Sequence, residues 1–406
     1  MHQCTCLFAY FVGYRVVSVA ETEGKTGPEY VFTLEAQQSR ELVCSQCRSV
    51  CSAVHDRVIR RISDLPVFGR PARLLVPRQR VLCPSCGPRV EHLDWLGPNA
   101  RITGRLADYA SSLLSAMTVL EASGLLGLDW KTVRNLDKRR LEREYGQLDM
   151  AGVRLLAMDE FAIHKGHRYA TVILDYDTRR VLWIGKGRSR AELRPFFEAL
   201  TAEQRGQIQA VAMDMNASYE LELKQFCPQA EIVYDLFHVI AKYGREVIGR
   251  VRVDEANRVR ADKPQRKLIK GSTWLLLRNR ENITREADKI RLAEVLNANA
   301  ALLTVYVLKD DLKNLWKQAD EKQARSLWEG WLERAQESGI QALIKFARRL
   351  APYVEGIISS CRWKLNTRVL EGINNRIKVI KRIAYGYRDD DYFFLKIKAA
   401  FPGVGR

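Results

Sequence analysis

The sequence predicts a multidomain α/β protein: a small cysteine-bearing strand region and a helix-turn-helix come first, then an α/β domain, then a long basic, all-helical stretch before a last helix. Three observations carry that reading. Two Cys-x-x-Cys pairs lie among alternating apolar and polar residues before position 98, the periodicity turns helical from Ile102, and five short strand-like runs crowd between Val153 and Asp235. The boundaries expected from these changes are 1–98 for a zinc-ribbon domain, 99–150 for a helix-turn-helix region, 151–239 for the α/β segment, 240–365 for the basic helical stretch and 366–406 for the C-terminal part.

Composition narrows the function classes. Lys and Arg outnumber Asp and Glu by 66 to 48, a formal net charge of +18, so the chain is drawn to a polyanion. Apolar residues make up 47% of its 406 residues, enough for a sizeable core. The best N-terminal apolar run, Leu7 to Ala20, is broken by Gly13 and Arg15 and reads as strands rather than a signal or a span. Nucleic acid is therefore expected ahead of a membrane surface, with no membrane partner and a cytoplasmic location. Four of the nine cysteines form the two pairs, which fits a reducing compartment, and the isolated Cys227 and Cys361 read as small buried hydrophobes.

Residues 1 to 40 alternate in Tyr14-Arg-Val-Val-Ser-Val19 and Tyr30-Val-Phe-Thr-Leu34, which suggests a strand pair leading into the cysteines. Cys44-x-x-Cys47 and Cys83-x-x-Cys86 are knuckles that each present two thiolates, together the donor set of one structural Zn²⁺. Pro84 and Gly87 suit the tight turn, and the long gap between the knuckles leaves room for a hairpin. Cys51, His55 and His92 lie near enough in sequence to compete as ligands.

From Ile102 to about Tyr145, Leu106, Tyr109, Leu113, Leu114 and Met117 recur at helical spacing, and Gly124 and Gly127 mark a turn between two short helices. Asp129 is the expected N-cap of the second. There Trp130, Val133 and Leu136 form an apolar side, while Lys131, Arg134, Asn135, Lys138 and Arg139 fall on another. That is the layout with which a recognition helix meets phosphates and base edges, and also that of an ordinary solvated basic face.

The strand-like runs are Arg154–Met158, Tyr169–Leu174, Val181–Ile184, Ile208–Met213 and Ile232–Tyr234, with helical text after the third and fourth. Beyond them Arg and Lys recur without strand signals, and a last helix is expected over Thr367 to Arg382. Asp159 and Asp214 each follow a strand-like run, and Glu371 lies on that last helix. Three such hard oxygen donors can hold two divalent ions roughly 4 Å apart. A lone Asp at a strand end is more often a cap or turn residue, and Glu160, Asp175 and Asp177 compete for the first position, although adjacent strand residues face opposite ways. Trp274 and Trp316 are expected in the core, with stacking on an unpaired base as the other reading.

The segments Met158-Asp-Glu-Phe-Ala-Ile-His-Lys-Gly-His-Arg-Tyr-Ala-Thr171, Val211-Ala-Met-Asp-Met-Asn-Ala-Ser-Tyr219, Val233-Tyr-Asp-Leu-Phe-His-Val239 and the run from Glu371-Gly-Ile-Asn-Asn-Arg to Tyr387 resemble the DDE transposases of the ISL3 family of bacterial insertion sequences. Their order and the two N-terminal modules extend the resemblance over nearly the whole chain. It implies an RNase H-like catalytic domain interrupted by the helical insertion, with Asp159, Asp214 and Glu371 as ligands of Mg²⁺ or Mn²⁺. It implies double-stranded DNA as partner, both the terminal inverted repeats and the target, with the chain acting as a homo-oligomer on DNA near the nucleoid. Asp235 and His238 resemble a site-proximal D-x-x-H pair, and supporting contacts are expected from Lys165, Arg168, Asn374, Asn375 and Lys378. A zinc-ribbon and helix-turn-helix regulator without catalysis is the alternative, and it leaves everything after position 150 unexplained.

Overall fold

In a computed structural model that describes residues 9–24, 27–164, 166, 168–365 and 368–404, the N-terminal alternation folds as the strand pair β1 (Tyr14–Gly24) and β2 (Gly27–Ala36). Short β3 (Leu42–Val43) and β4 (Val50–Cys51) follow, then the long hairpin of β5 (Val54–Val67) and β6 (Arg70–Cys83), and β7 (Gly87–Val90). The sheet order is β1-β2-β6-β5, with β7 also paired to β6. The hairpin fills the gap between the two cysteine knuckles. It turns at Phe68 and Gly69, both at positive φ, the backbone that suits a two-residue turn between twisted strands. Phe11, Phe32, Ile62, Leu74, Val76 and Trp95 form the core beneath.

Three helices follow: α1 (Gly104–Ala116), α2 (Val119–Leu126) and α3 (Trp130–Tyr145). Thr118 and Glu121 make a capping box at the start of α2, and Gly127, at φ 58°, ends it. Gly127 alone makes the turn expected between Gly124 and Gly127; Gly124 lies inside α2. A side chain at Gly127 would also collide with Pro71, since a Cβ would lie 2.4 Å from its Cγ. Asp129 caps α3, accepting a hydrogen bond from the Lys131 N–H at 2.9 Å.

These elements lie in one compact unit, residues 1–147 with 383–387, and a second comprises 148–382 with 388–406. The second unit is built on β8 (Leu155–His164), β9 (Arg168–Asp175), β10 (Val181–Lys186), β11 (Ala210–Met213) and β12 (Glu231–Tyr234), the five strands the sequence indicates. Their order is β10-β9-β8-β11-β12, an antiparallel meander extended by two parallel strands, as in an RNase H-like fold. Helices α4 (Arg190–Glu198), α5 (Ala202–Gln207) and α6 (Ala217–Phe226) supply the crossovers.

The insertion begins as one long helical run: α7 (Leu236–Tyr243), a π-helical turn over Gly244–Ile248, and α8 (Gly249–Arg258). It continues through α9 (Lys263–Lys270), α10 (Thr273–Leu277), α11 (Glu286–Ala298), α12 (Ala300–Asn314), α13 (Glu321–Glu337), α14 (Gln341–Leu350) and α15 (Val354–Ile358). A single apolar core joins it to the sheet, running from Met158, Met213 and Phe196 to Val247, Val305, Trp331 and Phe346. Last come α16 (Arg368–Ile383) and α17 (Asp390–Ala400). The sequence reading lacks α17, because its unbroken Tyr392-Phe-Phe-Leu395 run shows no amphipathic period. Among the described residues no single helix is long and apolar enough to cross a membrane.

Candidate functional site

Two groups of metal-ligating side chains differ in how the chain assembles them. Cys44, Cys47, Cys83 and Cys86 place one sulfur each within 4.8 Å of every other. A tetrahedral Zn²⁺ with bonds of about 2.3 Å needs sulfurs about 3.8 Å apart, so the quartet fits the ion. Each knuckle closes the same way, with the residue after its second cysteine at positive φ: Arg48 at 65° and Gly87 at 69°. The Gln46 N–H points at the Cys44 sulfur from 3.4 Å, and contact with Ser49 holds the Cys47 thiol down to about 6. Of the competing ligands, the two histidines are paired elsewhere and Cys51 lies outside the quartet. His55 pairs with Asp56 and His92 with Asp94, while Cys51 is buried beside the quartet with its thiol pushed up by burial.

The carboxylates are brought together by strand register. In the parallel ladders Ala212 stands opposite Ala157, and Met213 opposite Tyr234. Asp214 is the first residue past β11 and Asp235 the first past β12, and the same register sets them near Asp159, two residues beyond the last β8 pair with β11. Asp159 is not at a strand end, as the sequence reading has it. β8 runs on to His164 because β9 continues to pair with it, while the ladder with β11 stops at Ala157. The sheet opens there, and Asp159 sits at the fork.

Asp159 is held at both oxygens, by the Glu160 N–H at 2.7 Å and by Asn374 Nδ2 of α16 at 2.8 Å. Burial pushes its carboxyl up to about 6 against those bonds and His238. Burial also raises Asp214, but His238, the Met215 N–H and Lys242 outweigh it and hold that carboxyl below its ordinary range. His238, one turn into α7, has Nδ1 3.4 Å from Asp214 and Nε2 4.0 Å from Asp235. Burial lowers its basicity, yet the acids around it win and raise it to about 9.

Glu371, Asn374, Asn375 and Lys378 of α16 line one cavity with these acids, of about 1500 Å³. Asn374 Oδ1 is buried without a hydrogen-bond partner, a further hard oxygen beside Asp159. Donors of this kind fit Mg²⁺ or Mn²⁺ rather than a soft ion. Among the described residues only the cysteine quartet gathers three or more ligand atoms within 4.8 Å; the carboxylates share a cavity without closing that far.

The comparisons match this division of the chain. A family model described as the zinc-finger of transposase IS204/IS1001/IS1096/IS1165 matches residues 40–86, and the helix-turn-helix domain of transposase family ISL3 matches 91–141. The ISL3 model described as Transposase matches residues 156–397, more than half of the chain. The chain belongs to the ISL3 transposase family. It is 54% identical over 396 residues, 97% of each chain, to the transposase for insertion sequence element IS1001 of Bordetella parapertussis. It is also 28% identical over 337 residues, 76% of this chain and 74% of the relative, to the transposase for IS1557 of Mycobacterium tuberculosis.

In this ISL3 transposase the other expected site residues are placed unevenly. Arg168 opens β9, exposed and away from the cavity lining, and Lys165 lies outside the described residues. Glu160 does line the cavity, against the expectation that only one of the adjacent acids reaches it, but Arg188 binds it at 2.8 Å. On α3, Lys131, Asn135 and Arg139 are exposed, whereas Arg134 and Lys138 are half-buried. Val133 is buried as expected, but Trp130 of the same side is 45% exposed. Sequence reasoning missed the cavity wall contributed by the insertion, notably Arg245, Lys313 and Lys364. Their only signal was the general excess of basic residues.

Proposed function

We propose that this transposase cleaves the ends of its element and joins them to target DNA with Asp159, Asp214 and Glu371 holding two divalent cations, Mg²⁺ or Mn²⁺. The observation that carries the reading is the gathering of Asp159 on β8, with Asp214 and Asp235 just past the ends of β11 and β12, in the same cavity as Glu371. When bound, the cation pair supplies an activated oxygen nucleophile on one side of the phosphodiester and charge stabilisation for the leaving oxygen on the other. Asn374 and the Glu160 N–H fix the rotation of the Asp159 carboxylate, so one oxygen lone-pair direction stays aimed into the cavity. His238 and Asp235 form a positioning pair for Asp214, and the cationic imidazole lessens the repulsion between these acids and an incoming phosphate. Lys378, Arg245 and Lys364 offer positive charge to the DNA backbone around the acids, whereas Lys313 is paired with Asp310.

The cysteine quartet holds a structural Zn²⁺ with all four positions filled, so it has no open position for chemistry. The exposed face of α3 contacts the terminal repeats, with Lys131, Asn135 and Arg139 in front. Incubating the purified chain with duplexes that carry its element's terminal repeats tests the whole reading. Cleavage at the element boundary is expected with Mg²⁺ and none with chelator. Binding with no cleavage in Mg²⁺ is the behaviour of a regulator and would overturn it.

A further inference from the structure

Helix α9 (Lys263–Lys270) has two opposed faces. Gln265, Leu268 and Ile269 turn inward: Ile269 is fully buried, Leu268 packs on the core of the second unit, and Gln265 Nε2 donates to the Ala298 carbonyl at 3.4 Å. Lys263, Arg266, Lys267 and Lys270 recur at i, i+3, i+4 and i+7, so they fall within about 100° of arc on the other face. The three lysines are exposed and Arg266 is half-buried. Both ends of the helix are fastened. Asp262 accepts from the Gln265 N–H at 3.0 Å, and Arg252 Nη1 donates to the Lys270 carbonyl at 3.0 Å. Gly271, next after α9, leaves room for the Arg291 guanidinium, since a Cβ there would collide with its Nη2. A fifth cation thus stands at the end of the row.

Such a row is unfavourable on its own. Lys263 and Lys267 repel each other at i, i+4, as do Arg266 and Lys270, and Lys263 in the first turn meets the positive end of the helix dipole. No acid relieves it: α9 carries none, Asp254 is paired with Arg250 and Glu255 with Arg258, and among the described residues none of the four α9 cations has an ion-pair partner. A polyanion would relieve it. The row is about 10 Å long, which faces roughly six phosphate charges of a duplex. Among the described residues none of α9 lines the cavity of the acids, so what the row holds lies outside that cavity. Contacts from lysines to phosphates carry no sequence information, which suits a duplex whose sequence is not fixed. We propose that the outer face of α9, extended by Arg291, grips the phosphate backbone of the target duplex. This rests on the strand-joining reading above, since a joining enzyme must hold a second duplex besides its element's end.

The test compares the full-length, zinc-loaded protein with a triple variant, Lys263→Gln with Lys267→Gln and Lys270→Gln. Each protein, bound to a terminal-repeat duplex in chelator, is offered a labelled duplex of unrelated sequence. The variant should capture it about tenfold more weakly or worse at physiological salt, with a salt slope lower by about 3, whereas the same three changes to Arg should keep both near wild type. In Mg²⁺ the Gln variant should cleave the element's end at the wild-type rate but join it to a limiting target about tenfold more slowly, and saturating target should restore the rate. Zinc content and thermal midpoint at wild-type levels will show that the variant is folded. Wild-type capture and salt slope in the Gln variant overturn the proposal. An equal loss of end binding, which would place α9 on the terminal repeat, overturns it too. The two readings fail separately: a wild-type protein that neither cleaves nor joins in Mg²⁺ overturns the carboxylate reading, and capture in chelator, which needs no chemistry, still decides the role of α9.

Discussion

The cysteine quartet and the carboxylate row are both built to meet a cation, yet the chain makes them in opposite ways. The quartet comes from two short knuckles, each closed by one left-handed residue, and its sulfurs lie within 4.8 Å of one another before any ion is considered. The acids come from one strand, the ends of two others and a helix, spread over more than two hundred residues of sequence, and they face a cavity of about 1500 Å³. Local turns make a closed site that suits a permanent ion. Long-range register makes an open one, where His238 lies against Asp214 and Asp235, and Asn374 donates to Asp159. On the function proposed above, that difference separates the metal that shapes the protein from the metals that serve the chemistry.

Several experiments can break or sharpen this contrast. The largest effect is expected at the open site: Asp159→Asn, Asp214→Asn or Glu371→Gln should each lower strand cleavage and joining by roughly three orders of magnitude or more, since metal ions contribute several kcal/mol to such steps. End binding by gel shift should persist, because basic surface holds the DNA. A neutral amide that keeps near wild-type rates removes its residue from the triad, with Glu160 and Asp235 next to test. At the closed site, Cys83→Ser should abolish bound zinc by elemental analysis and melt the N-terminal unit, as a structural zinc is worth on the order of 10 kcal/mol of folding. The second unit should keep its own thermal transition, since its core is separate. Zinc retained at wild-type stoichiometry would refute the assignment.

Charge burial at the open site also gives a pH signature. Asp159 titrates near 6 in the folded chain, above its ordinary 3.8, so it favours the native state below that ordinary value and the benefit is lost as pH rises through about 6. Metal-free protein should lose on the order of 3 kcal/mol over that window, and Asp159→Asn should flatten it. His238 acts in the same direction at higher pH, its contribution fading as pH passes from 6.5 through about 9. Denaturation midpoints across pH for the two proteins decide this; parallel profiles would show that Asp159 is not a strained acid. The smallest effect is expected on α3, where Lys131→Ala with Arg139→Ala should weaken end binding roughly tenfold and reduce its salt slope by about 2. An unchanged slope would move DNA recognition to another surface.

What was legible in the sequence follows the same local-versus-distant division. The knuckles, the Asp129 cap and all five strands of the second unit could be read because spacing and alternation act over a few residues. The end of β8 could not, since it depends on how far β9 keeps pairing after β11 stops, a fact of the sheet and not of the strand. For the same reason no local signal aligns Asp235 with Asp159 and Asp214. Resemblance supplied the proposed triad, and register accounts only for the nearness of its two aspartates. The expectation of a buried tryptophan suits the partly buried Trp316, whose N–H bonds the Tyr234 carbonyl, but fails for Trp274, which is 74% exposed. Helix α17 was invisible because both its faces are covered, which erases the amphipathic period.

The most direct test of the contrast is a titration of Mn²⁺ into zinc-loaded protein bound to a terminal-repeat duplex, followed by electron paramagnetic resonance. The wild-type complex should immobilise Mn²⁺, and Asp159→Asn, Asp214→Asn and Glu371→Gln should each weaken or abolish that binding while the zinc content stays constant. Mn²⁺ bound equally well by the wild type and all three variants would contradict the account, because the carboxylates would then hold no metal.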